Sequence, residues 1–201
     1  MKIKYPKESL KTRLKFRPIC SSAMFIALYV IYVAEFDFGE PVCLATLQTV
    51  LYFIQANCLA CQNRLAFPDK IFVSKNYPKI PVVWDRFQYG NEDDYSAFYN
   101  FITTEHTTTT RFDSNQSSVY WWNGRKIAQA DPMYYDSLLY HELFYDVIFD
   151  CLKYSDWDLL KILDSQEAWE KATYFKEKNN VDCQSIHINW YDEEDICNFL
   201  F

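Results

Sequence analysis

Two separated stretches, 44–89 and 145–169, constrain this chain most, because each sets apolar side chains at helical spacing and neither holds a reactive group. In the first, Leu44, Leu47, Leu51, Ile54 and Cys58 fall three or four residues apart, the stripe of an amphipathic helix over 44–63. A stripe of this kind is stable only when packed, so the rest of the chain must build a core around it. The 201 residues, 50% hydrophobic and 23% charged, suffice for one globular domain and leave little for a second. Aromatic residues are 19% of the chain, and each ring removes roughly 150–250 Å² from water at about 25 cal/mol per Å². They should dominate the core and leave some rings at the surface.

The remaining pattern reads as mainly α (α+β): a compact helical domain over 23–201 with one or two small β-hairpins, preceded by a basic arm over 1–22. The run 23–34, AMFIALYVIYVA, is too short for the roughly 20 residues a bilayer requires. It reads as a buried helix, capped by Ser21 or Ser22 and ended near Gly39 and Pro41. Residues 65–74 alternate about Pro68 and Asp69, which predicts a hairpin there, and 82–89 resumes a helical pattern before Gly90. The region 91–131 reads as an insertion, with a short helix near 95–101 and a hairpin in VYWWNGRKIAQ turned by Asn123-Gly124. Helices are then expected from Pro132 to Tyr154, from Trp157 to Leu163 behind Ser155 or Asp156, from Asp164 or Ser165 toward Lys178, and over 192–201 after an extended SIHINWY.

Charge and cysteine content narrow the function. The formal net charge is -7, yet residues 1–17 hold seven Lys and Arg against Glu8 alone. An acidic body argues against a dedicated nucleic-acid domain, and only the basic arm offers a footprint for one. Seven cysteines in apolar surroundings suit reduced thiols and a cytoplasmic setting, and the Cys58-x-x-Cys61 pair has no second pair at zinc spacing. No His sits in an HxxxH or HxH pattern, although His141-Glu142 with Asp136 and Asp146 places carboxylates beside an imidazole on one helix. The acidic run 192–195 reads as a helix N-terminus. Three glycines in the whole chain weigh against a phosphate-cradling loop. No catalytic residue, metal ligand or cofactor site is expected.

The order LQTVLYFIQANCLA, IPVVWDRFQYG, LKYSDWDLLKILDSQEAW and YDEEDICNFL resembles the Panacea-domain (SocA-like) antitoxin family over 44–201, with a divergent middle. Two departures stand out: Ile80-Pro81-Val82 replaces the family's GPV, and Lys153-Tyr154-Ser155 lacks the glycine of its later motif. The resemblance implies a small cytoplasmic, helical, non-enzymatic protein that neutralises a cognate toxin by direct contact. The same scaffold also suits a phage or mobile-element inhibitor of a host defence system such as CRISPR, and an enzyme with an unrecognised site is the third class. A protein partner is expected, with self-association left open and no membrane. Trp84, Arg86 and Tyr89 on one segment, and Trp121, Trp122 and Arg125 on the insertion, are the residues expected to meet that partner, since aromatics and arginines carry most interface energy.

Overall fold

The computed structural model describes residues 18–62, 64–74, 76–88, 96–99, 101–102, 111–112, 118–122, 125–130, 138–182 and 184–187. These form a mainly helical domain with small antiparallel strands. The first helix, α1 (Ala23–Val33), begins where the Ser22 hydroxyl accepts from Met24 N, and it passes into a π-helical turn (Ala34–Phe38). Gly39 then stops the helix in the left-handed conformation at φ 73°, which a residue without Cβ adopts readily. Strand β1 (Val42–Cys43) leads directly into α2 (Leu44–Gln62).

Helix α2 is the axis of the fold. Leu44, Leu47, Leu51, Ile54 and Cys58 are all buried, as the stripe requires, but so are Gln48, Thr49, Gln55 and Asn57 on the other faces. It is long and apolar enough to cross a membrane by length and composition, yet 89% of that window is buried inside the protein, which makes it a core helix. A helix closed in on every side must find partners for its buried amides. Gln55 does so at one end: its Oε1 accepts from Ala66 N (2.9 Å) and Phe67 N (3.3 Å), holding the chain that returns after the helix. Gln48 Oε1 accepts from Ile80 N (2.8 Å) at the other side of the core.

Strands β2 (Phe72–Val73) and β3 (Pro78–Lys79) pair across 74–77, and β8 (Gln184–Ser185) adds to the free side of β2. The hairpin expected around Pro68 and Asp69 is therefore displaced. The reason is that Asp69 serves another element, accepting Ala23 N at 2.6 Å to cap α1. Pro81 opens α3 (Pro81–Phe87) at its first position, where its missing N–H is not needed.

The expected insertion is not wholly outside the core. Helix α4 (Ser96–Tyr99) buries Ala97, and β4 (Phe101–Ile102) pairs antiparallel with β1, Val42 opposite Ile102 and Cys43 opposite Phe101. Strands β5 (Arg111–Phe112), β6 (Ser118–Trp122) and β7 (Arg125–Ala130) form a separate antiparallel sheet, and the β6–β7 pairing closes across residues 123–124 as the Asn-Gly signal predicts. Beyond these come α5 (Leu138–Leu152), α6 (Asp156–Asp164) and α7 (Glu167–Asn179). Ser155 caps α6 by accepting Asp158 N. Neither Asp164 nor Ser165 caps α7. Gln166 holds that position without a side-chain bond, because Asp164 instead accepts from Trp169 Nε1 (3.1 Å) and Ser165 donates to Ile162 O. The expected start of α5 at Pro132 and the expected helix over 192–201 lie outside the described residues.

Candidate functional site

The partner residues expected from sequence are dispersed. Trp84 is 2% exposed and stacked on Tyr77 at 5.6 Å, so it is a core residue and not a contact residue. Its position follows from α3, which turns Val83, Trp84 and Phe87 inward together. Lys79 Nζ lies 4.7 Å from the Trp84 ring centre and covers that ring from the β3 side. Arg86 is half-buried. Tyr89 lies outside the described residues, as do the side chains of Trp121, Trp122 and Arg125, whose backbones run on β6 and β7.

The structure instead assembles an aromatic corner where the turn between α5 and α6 meets β1, β4 and α4. Trp157, in the first turn of α6, is 63% exposed. Its inner face stacks on Phe98 at 5.5 Å and 9°, Phe98 meets the edge of Tyr77 at 5.8 Å, and Tyr77 rests on buried Trp84. Four rings thus lead from the core to the surface, and they fix the outermost indole. Phe101 is 50% exposed on β4, Phe149 is exposed on the last turn of α5, and Tyr154 is exposed just after it. Phe149 in turn packs between Phe38 (5.2 Å) and Tyr145 (5.8 Å).

A polar clasp anchors the corner from beneath. Thr46 Oγ1 donates to Asp156 Oδ1, the Cys43 thiol lies 3.6 Å from Asp156 Oδ2, and Cys43 Sγ accepts Thr46 N at 3.4 Å. This ties the start of α2 to the start of α6, one residue before Trp157. Burial, aided by the Asp156 carboxylate, pushes the Cys43 thiol up to about 11, while its bonds with Thr46 pull the other way. A protonated, 2% exposed thiol is a poor nucleophile, so the clasp is structural chemistry. On the rim, Lys161 and Ser155 hold the Asp158 carboxyl below its usual range, and Lys153 Nζ bonds Asp150 at 2.7 Å while lying 4.3 Å from the Phe149 ring centre. The Tyr145 phenol is pushed up, first by burial and then by neighbouring Asp37.

From sequence Trp157 stands only as the first residue of the helix expected over 157–163, with nothing to single it out. The signal that marks it is positional: with Leu159, Leu160 and Leu163 turned inward on α6, residue 157 falls on the outer side of that helix. Among the described residues, no three of His, Cys, Asp and Glu come together as metal ligands. Comparison with protein-family models, curated proteins and solved structures returned no match.

Proposed function

We propose that this chain is a non-enzymatic protein-binding module that acts by holding a protein partner at the aromatic corner. The observation that carries the reading is Trp157, 63% exposed yet immobilised by stacking on Phe98. An exposed indole whose rotamer is already fixed loses little entropy on binding, and rings of this kind are the anchors that dominate interface energies. The resemblance to Panacea-domain antitoxins supports the same class, and on that reading the partner is a toxin neutralised by contact in the cytoplasm. Both rest on chemistry that does not require turnover.

The test is capture. The full chain, immobilised and exposed to extract of its source cells, should retain one stoichiometric protein that the Trp157→Ala variant loses, and co-expression with that protein should relieve any growth arrest it causes. Equal capture by the parent and the variant removes the corner from the reading. A retained protein that arrests growth whether or not the chain is present removes the antitoxin role.

A further inference from the structure

We infer that the aromatic corner takes a cationic segment of its protein partner, with an arginine or lysine side chain laid over the outer face of Trp157. The inference rests on the protein-binding reading and adds the chemistry of what is bound. Its first support is charge. Segments 35–43 and 144–161, joined to each other by the Cys43–Asp156 contact and the Phe38–Phe149 ring pair, hold seven carboxylates and only two ammonium groups, Lys153 and Lys161, which pair with Asp150 and Asp158. Phosphate-bearing partners, whether nucleic acid or anionic lipid, would be repelled there, whereas a cationic peptide would be attracted.

The second support is a pattern the molecule already uses. Lys153 places its ammonium 4.3 Å from the Phe149 ring centre while bonded to Asp150, so ring and carboxylate share one cation. Lys79 lies 4.7 Å from the ring centre of Trp84, and Lys178 lies 5.6 Å from that of Tyr174. Asp156 is engaged beneath by Thr46 and Cys43, so the carboxylate beside the Trp157 ring is that of exposed Asp158, shared with Ser155 and Lys161, and among the described residues no cation lies over the indole. The inner face is filled by Phe98 and the outer face is open to solvent. Indole is the strongest π-face for a cation among protein side chains, and a planar guanidinium stacks on it while donating to nearby carboxylates. The partner's cation completes the arrangement that Lys153 makes within the chain.

The experiment titrates the full-length protein with a synthetic peptide, Gly-Arg-Gly-Arg-Gly-Arg-Gly, against its glutamate counterpart, following tryptophan fluorescence and calorimetry. Saturable one-to-one binding of the arginine peptide, weakened at least tenfold by Trp157→Ala, retained within about threefold by Trp157→Phe and weakened by salt, is the expected result. Equal binding by Trp157→Ala, or equal binding of the glutamate peptide, overturns it. A chain starting at residue 18 that binds the arginine peptide tenfold more tightly than the full chain also overturns it, because the basic arm would then be the occupant. A partner captured through Trp157 that the arginine peptide fails to displace defeats the cationic assignment while leaving the protein-binding reading intact; absence of any Trp157-dependent capture defeats the reading itself.

Discussion

At the C-terminal end of α2 the chain is sealed, and at the N-terminal end it is left open, although both ends are built from apolar side chains around a small polar centre. At the sealed end, Ile19 and Cys20 donate to Leu65 O and Ala66 O, Gln55 receives Ala66 N and Phe67 N, and Cys20, Cys58, Ala66 and Phe67 are buried beneath. At the open end, Cys43, Thr46 and Asp156 satisfy one another, but Phe101, Tyr154 and Trp157 remain in solvent. The difference lies in where the covering backbone goes. The 18–20 segment crosses the sealed end because Gln55 and the 64–66 backbone give its neighbours hydrogen-bond partners. At the open end the clasp reaches α6 through the side chains of Cys43, Thr46 and Asp156, and the β1–β4 pairing stops after two residues, so the helices are joined while the outer rings stay exposed.

The largest expected effect tests how much of the fold depends on thiols staying neutral at both ends. Burial pushes the Cys20 thiol up to about 12 and the Cys43 thiol to about 11, and it raises Cys58 and Cys151 as well. In the unfolded chain each ionises near the ordinary value of 9.0. Between pH 9 and about 11 the native state therefore holds more protons than the unfolded state, and stability falls as pH rises. Below pH 8 this contribution is fully present and flat. Urea midpoints should drop steeply from pH 9 to 10.5, and the slope should become shallower in Cys20→Ala and in Cys43→Ala. At neutral pH, among the described cysteines, a thiol reagent should modify exposed Cys61 first and buried Cys20, Cys43, Cys58 and Cys151 only on unfolding.

Next in size is the seal. Gln55→Leu keeps volume but leaves Ala66 N and Phe67 N buried without their acceptor, each loss costing about 1–3 kcal/mol, so the variant should lose about 3 kcal/mol in urea unfolding. Thr46→Val, at the open end, removes one hydroxyl from a carboxylate and should lose about 2 kcal/mol. Among the described residues the two ends share no hydrogen-bond partner, so the double variant should be additive within about 0.5 kcal/mol. A coupling well above that would mean the ends are one unit and would break the contrast.

The helices were legible because their causes are local. The stripe from Leu44 to Cys58, Ser22 before α1, Gly39 after the π-helical turn and Ser155 before α6 all act within a few residues. What escaped was decided by contacts far apart in sequence. Asp69 is drawn away from its own turn by Ala23 N, β1 and β4 are two-residue strands that exist only because they pair, and Asp164 abandons a cap for the Trp169 indole. The site failed for the same reason. Trp84 and Trp157 are both tryptophans beside an aspartate on a short helix, and only the Tyr77–Phe98 bridge between them settles which is core and which is surface.

The smallest effect on stability is the most informative about function. Trp157→Ala removes a ring that is 63% exposed, so its loss is confined to the stack on Phe98, about 1 kcal/mol or less. Trp84→Ala, at the buried end of the same ladder, should lose about 3–5 kcal/mol. If the corner is kept open for a partner, the ranking inverts in a binding measurement: a Trp157→Ala protein of nearly parental stability loses capture, whereas a Trp84→Phe variant, which preserves the stacked ring in the core, keeps it. Equal stability losses at the two tryptophans would show that Trp157 is covered in solution, and the open end would then be a second sealed one.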